Sequence, residues 1–139
     1  MGPSLLEKIT TELNVRLRDG VVSRIHEPDE RTIVFKVFSK GRTDSHVISA
    51  HPRFSRMHIS EREFTNPAAC PRFAAYLRSR ITNARIEAFE QAKGERIVRV
   101  RLIKKIDGEW SAFALIAELT GKSSNIILCD SEGVVLDAL

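Results

Sequence analysis

Ile97-Val98-Arg99-Val100-Arg101-Leu102-Ile103-Lys104, then Asp107-Gly108, then Ser111-Ala112-Phe113-Ala114-Leu115-Ile116-Ala117-Glu118-Leu119: this stretch decides the fold class. Val98, Val100 and Leu102 fall on one side of an extended chain, with Arg99 and Arg101 on the other. Phe113, Leu115, Ala117 and Leu119 repeat the period of two, which is the signature of strands with one buried face. Asp-Gly between two such runs is a hairpin signal. Downstream, Thr120–Ser124 reads as a loop, Asn125–Asp130 as a strand, and Glu132-Gly133 as a turn into a strand at Val134–Leu136. Upstream, Arg85–Glu90 is a strand and Lys93-Gly94 a turn, so the C-terminal part is a meander.

Further upstream, Phe73, Leu77 and Ile81 repeat every four residues with Tyr76 beside them. Pro71 is placed to open that helix, which is expected to end near Arg80, before Thr82-Asn83. Strand character returns at Val21–His26, Thr32–Phe38, Ser45–Ala50 and Arg56–Ile59, rich in β-branched and aromatic residues. Pro28-Asp29-Glu30 and Ser39-Lys40-Gly41-Arg42 read as the turns between them. A first helix is expected over residues 4–18, from a Ser4…Glu7 capping box, apolar Leu5, Leu6, Ile9, Leu13 and Leu17, and Gly20 as its stop. Two helices among about eight strands make an α+β domain: a β-sandwich or half-open barrel of mostly antiparallel strands. Residues 1–139 form one domain of ordinary size. The last strand runs to the C-terminus without a stop signal, so the domain is expected to be a fragment of a longer multidomain protein.

Several chemistries are excluded. No apolar run approaches the roughly 18–20 residues that span a bilayer, and the N-terminus lacks the pattern of a secretory signal; the expected location is the cytoplasm. Cys70 and Cys129 show no CxxC pairing, and the expectation is two half-buried free thiols in a reducing compartment. His26, His46, His51 and His58 show no metal-ligand spacing. Gly121-Lys122-Ser123 resembles the end of a phosphate loop, but the glycine required five positions earlier is Ile116, inside a strand. No GxSxG elbow occurs and the carboxylates are scattered singly. No catalytic residue, cofactor or metal is expected.

Charge is unevenly placed on a chain of net +4. Residues 51–105 carry thirteen basic and five acidic side chains, ten of the former being Arg; residues 106–139 carry one basic and six acidic. Arginine binds phosphate in a bidentate fork and stacks on bases, so nucleic acid is an eligible partner. Three polar loops lie at strand ends, where binding usually resides: Ser49–Arg56, Gln91–Arg96 and Glu118–Asn125. Gly94 and Gly121 are expected to supply unusual backbone angles there, and Asn125 to cap a loop amide.

Together these pieces resemble the N-terminal domain of the NFACT family, which includes bacterial fibronectin-binding-type proteins and ribosome quality-control factors. The resemblance runs through Glu12-Leu13-Asn14, Ser49-Ala50-His51-Pro52 with Arg56 and His58-Ile59, and Asn66-Pro67. It continues through Pro71 with Phe73, Leu77-Arg78, Gln91, Glu95-Arg96-Ile97, Glu118-Leu119 with Gly121, and Ser124-Asn125-Ile126-Ile127-Leu128. It implies a fold similar to the N-terminal domain of formamidopyrimidine-type DNA glycosylases. It implies a protein that binds tRNA and the rRNA of the obstructed large ribosomal subunit, in a stalled complex bearing peptidyl-tRNA, and supports template-independent C-terminal tailing. The family's Asp-Arg pair for tRNA corresponds to Glu95-Arg96, and its second loop opens at Glu118-Leu119-Thr120. Two positions depart from the family pattern: Glu95 is one methylene longer than the usual Asp, and Gly2 stands where an Asp usually lies near the start.

The expected nucleic-acid contacts are Glu95, Arg96, Arg99, Arg101, Glu118, Leu119, Thr120, Lys122, Ser124, Asn125, His51 and Arg56, with Arg96, Arg99 and Arg101 on one strand tracking a phosphate backbone and Glu95 orienting Arg96. Arg31 serves as the reference cation outside the site. Two other function classes stand beside this one: an adhesin for fibronectin or fibrinogen, and a DNA-glycosylase-like DNA-binding domain. Glycosylase chemistry itself is disfavoured, because Pro3 is internal and no acid follows until Glu7.

Overall fold

The structure, a computed structural model, describes residues 1–139. Helix α1 (Pro3–Leu17) leads into β1 (Val21–Asp29), β2 (Thr32–Ser39), β3 (Arg42–Ser49) and β4 (Arg56–Ser60). Helix α2 (Arg72–Ile81) follows, then β5 (Arg85–Gln91), β6 (Ile97–Ile106), β7 (Glu109–Glu118), a 3-10 turn at Gly121–Ser123, β8 (Asn125–Asp130) and β9 (Val135–Ala138). The nine strands form one antiparallel sheet in the order β4-β3-β2-β1-β5-β6-β7-β8-β9. The α+β expectation holds: two helices accompany one open, nine-stranded antiparallel sheet.

The sheet is two hairpin stacks joined by a narrow waist. Val21 and Arg85 are the one registered pair between β1 and β5, with backbone bonds from Asn83, Val22, Asp19 and Ile86 completing the joint. Beyond it the two strands diverge and each has a free edge, a row of polar groups that must find partners. Asn14 of α1 serves one edge. Its Nδ2 donates to the Phe89 carbonyl and its Oδ1 accepts from the Phe89 amide, both at 2.8 Å, so one side chain imitates a neighbouring strand. Arg78 of α2 serves the other, donating from Nε to the Ile25 carbonyl at 2.8 Å. Arg72 of α2 reaches β9, donating to the Asp137 carboxylate at 2.5 Å and the Ala138 carbonyl at 2.8 Å. The helices thus close what the strands leave open.

Leu6, Leu13 and Leu17 of α1, Phe73, Leu77 and Ile81 of α2, and the inward residues of both stacks form one 25-residue core cluster. Each fully buried aliphatic or aromatic side chain contributes about 1.5–3 kcal/mol. His46 of β3 enters this core, stacked 5.9 Å from Phe35 and edge-on to Phe89 of β5 at 5.2 Å. Burial first, and nearby His58 second, lower its pKa to about 3, so it packs as a neutral ring.

Local departures have simple causes. The capping box does not form: Gly2 is the N-cap, Pro3 takes the first turn, and Ser4 lies inside the helix. Proline favours the first helical position, so the helix begins one residue early. The helix ends at Leu17, and Asp19, not Gly20, adopts the left-handed backbone at φ 68°. Gly20 is there for space, since a Cβ would meet Val37 Cγ1 at 2.7 Å. Strand β1 continues past His26 to Asp29 because a register shift between His26 and Asp29 absorbs Pro28. Cys70 is exposed and Cys129 buried, rather than both half-buried.

Candidate nucleic-acid interface

The loops singled out by sequence come from both stacks and converge. Arg31, in the β1–β2 turn, is the clamp. Its guanidinium donates to the Ala50 carbonyl at 3.2 and 2.9 Å and to the Ser124 carbonyl at 2.9 Å. It therefore ties the ends of the β3–β4 and β7–β8 loops together. A Cβ on Gly121 would lie 3.7 Å from the Pro52 carbonyl oxygen, which places those two loops side by side. Arg31 is accordingly a framework residue and no neutral reference for binding; its engagement with carbonyls 19 and 93 positions away along the chain has no local signature.

The Glu95-Arg96 turn is fixed at three points. Gly94 takes φ 73°, and the Glu95 amide donates to the Ala92 carbonyl at 2.9 Å. Gln91 Nε2 donates to the carbonyls of Glu95, at 2.7 Å, and Pro3, at 3.0 Å, anchoring the turn to the start of α1. The Leu119 amide donates to the Arg96 carbonyl at 2.8 Å, joining the turn to the loop opened by Glu118. Glu95 and Arg96 side chains are both exposed. Arg96 is in no ion pair, and the Glu95 carboxylate does not hold it. Arg96 also precedes β6 rather than lying on it.

Arg99 and Arg101 behave differently. Arg99 Nε contacts Glu90 Oε1 at 3.0 Å, and Arg101 lies 3.6 Å from Glu90 and 3.7 Å from Glu87. These exposed pairs stabilise by about 0–1 kcal/mol each, yet they offset the positive charge expected to follow a phosphate backbone. The neutralising carboxylates come from the neighbouring strand, not from the acidic C-terminal segment, whose Asp137 is held by Arg72. That contact keeps the Asp137 carboxyl below its usual range, despite a small opposing effect of burial.

The remaining expected contacts divide by burial. Lys122 is exposed, and Glu118, Thr120 and Asn125 are half-buried. Leu119 is fully buried in the core, so its side chain is unavailable to RNA, and its amide donates to the Arg96 carbonyl. Ser124 is 4% exposed, with its Oγ unpartnered, so it too is set behind the surface. Asn125 Oδ1 accepts from the Ile126 amide at 2.8 Å, capping the entry to β8. His51 and Arg56 lie apart from the Arg96 turn, lining a cleft of about 530 Å³ with Asp29, Phe54, Arg62 and Phe64. Sequence reasoning missed Phe54 and Arg62; the available signal was a phenylalanine in a Pro-Arg-Phe loop, outside any strand or helix periodicity.

No group of His, Cys, Asp and Glu is placed to hold a metal ion, and no helix is long and apolar enough to cross a membrane. The arrangement is a set of anchored loops presenting the unpaired Arg96, Lys122 and a polar cleft lined by further arginines, which suits holding a polyanion.

Comparison with known proteins gives a consistent result. The family model for NFACT N-terminal and middle domains matches residues 4–139. The Rqc2 homolog RqcH of Bacillus subtilis is 35% identical over 133 residues, covering 94% of this chain and 23% of that protein. The Rqc2 homolog RqcH of Streptococcus suis is 34% identical over 136 residues, covering 96% and 25%. Among solved structures, the N-terminal part of the Streptococcus suis fibronectin/fibrinogen-binding protein superposes with a TM-score of 0.93 at 34% identity, over 96% of this chain and 51% of that one. The N-terminal domain of the fibronectin-binding protein PavA from Streptococcus pneumoniae gives 0.94 at 34% identity, over 97% and 52%. The chain thus spans about a quarter of the length of the curated relatives it matches, and by the family match over residues 4–139 it belongs to the NFACT family, as its N-terminal domain.

Proposed function

We propose that this domain is the RNA-binding module of a cytoplasmic ribosome quality-control factor, and that it grips tRNA on the obstructed large ribosomal subunit. The observation that carries this is the Glu95-Arg96 turn: a guanidinium without a carboxylate partner, on a backbone anchored by Gln91 and Leu119. An unpaired, positioned arginine is ready to meet phosphate, whereas a paired one must first give up its partner. Lys122 on the adjoining loop extends the positive surface. The relatives' name, Rqc2 homolog RqcH, supports the same class of factor. The module acts by binding and positioning, with no chemistry of its own. Support of template-independent C-terminal tailing belongs to the same reading, with Glu95 and Gly2 as the two positions where this chain departs from the family's Asp. Fluorescence anisotropy with labelled tRNA tests it: affinity should fall with rising salt and on Arg96→Ala. Binding that ignores both would overturn the proposal.

A second reading, adhesion to fibronectin or fibrinogen, is favoured by the names of the two structural neighbours, both called fibronectin-binding proteins. Strand β4 is a sheet edge able to accept an added strand. Salt-insensitive binding of fibronectin fragments, with none of tRNA, would select it.

A further inference from the structure

The cleft beside the β3–β4 loop is a site separate from the Arg96 turn, and its chemistry is specific. Its floor and walls come from the β1–β2 turn, the β3–β4 loop and the segment after β4. Phe54 is 66% exposed, on a tight turn where its amide donates to the His51 carbonyl at 3.2 Å. An aromatic ring held out of the core and over a cleft has no packing role. In the same cleft the Arg62 guanidinium lies 5.2 Å from the centre of the Phe64 ring, a cation–π pair. Arg56 lines the same space, and neither Arg56 nor Arg62 is in an ion pair. Two carboxylates share the cleft. Asp29 is engaged: it lies 3.2 Å from His51 Nε2 and accepts from the Arg31 amide at 2.8 Å and the Thr32 hydroxyl at 3.1 Å. Glu63 is exposed at the rim.

We propose that this cleft receives one unstacked nucleotide of a single-stranded RNA segment. The base lies against Phe54, the adjoining phosphates meet Arg56 and Arg62, and His51, held by Asp29, hydrogen-bonds to the ribose or the base edge. Aromatic faces with neighbouring cations are how single strands are held without sequence preference. A base inside a duplex has both faces covered and cannot enter. The volume of about 530 Å³ lies within the roughly 300–1,000 Å³ of small-molecule sites. The inference deepens the RNA reading proposed above: it assigns this end of the domain to a loop or end of the RNA.

The experiment uses the full chain and two fluorescein-labelled RNAs: a stem closed by a seven-nucleotide loop, and a fully paired duplex of the same length. Phe54→Ala should weaken the stem–loop complex by about tenfold, the effect typical of losing one stacked base, and leave the duplex complex unchanged; Phe54→Trp should restore binding. Arg56→Ala should lower the salt slope of stem–loop binding by about one. The ring is exposed, so neither Phe54 variant disturbs the core. An unchanged stem–loop affinity in Phe54→Ala, or an equal loss for both RNAs, would overturn the inference. So would AMP binding that depends on Phe54 and is tighter than that of the stem–loop, which would make the cleft a free-nucleotide site. Arg96→Ala separates the two levels: a loss there with none in Phe54→Ala sinks the cleft alone, while a wild-type chain that binds neither RNA sinks the RNA reading with it.

Discussion

The two hairpin stacks treat their polar groups in opposite ways. Outside its loop cleft, the β1–β4 stack turns several of them inward or into the framework. All four histidines lie in it, His46 is completely enclosed, Arg31 is committed to two carbonyls, and the segment after β4 crosses its outer face, with Glu63, Phe64 and Asn66 over Arg24, His26 and Lys36. The β5–β9 stack displays them. It has no histidine, and its outer face carries Arg99, Arg101, Glu87 and Glu90 in the open. A further division matters more: Arg99 and Arg101 on the strand have carboxylate neighbours, and Arg96 in the turn is in no ion pair. Counting cations therefore overstates how many are free to meet a ligand.

The largest expected break in this contrast is Arg31→Ala. It removes a charged donor from two carbonyls at once, for a loss of about 3 kcal/mol, read as a lower urea midpoint with unchanged slope. A loss below about 1 kcal/mol would mean the loops hold together without the clamp.

Acid separates the stacks next. His46 is held at a pKa of about 3 by burial, against about 6.5 when unfolded. The unfolded chain therefore binds the proton that the folded chain refuses, and stability falls as pH drops below about 6.5. Between pH 7.5 and pH 5 the decrement is about 2 kcal/mol. His26 and His58, whose pKa values burial also lowers, act in the same direction. Denaturant melts across this range check the sign, and His46→Phe should flatten the curve. A curve that is flat in the wild type would show that His46 is solvated.

The third comparison sets turn against strand. Arg96→Ala should reduce tRNA affinity by about tenfold, roughly 1.4 kcal/mol, and Arg99→Ala by less than about threefold, because its charge is already offset by Glu90. Equal losses would assign binding to diffuse charge. The smallest effect is on folding: Arg99→Ala should change stability by under about 0.5 kcal/mol, as exposed ion pairs do.

How legible was this in the sequence? The strands were, because half-buried strands advertise themselves by alternation: Val98, Val100 and Leu102 are buried while Arg99 and Arg101 are exposed, as the period of two requires. The locations of the three polar loops were equally plain. What sequence could not supply was their convergence. Arg31 and Ser124 are 93 positions apart, Asn14 and Phe89 are 75 apart, and such clamps leave no local pattern. Leu119, made a contact by the family resemblance, is core, as its alternation with Leu115 and Ala117 already indicated, while Arg99 looked free when Glu90 stands beside it. The cleft draws on three separate segments, so only its members His51 and Arg56 were named from the sequence.

The Asn14–Phe89 bridge has a consequence for how the chain is made. Synthesis runs from the N-terminus at about 5–20 residues per second, so α1 emerges several seconds before the strand edge it must serve. During that interval its apolar face, Leu6, Leu13 and Leu17, has β2 and β4 to pack on but lacks the cover that β5 provides, so the helix is expected to settle only after β5 has emerged. Truncated chains ending before Arg85 should be cut within α1 by dilute protease, while longer ones resist; equal resistance would show that the helix finds its seat early.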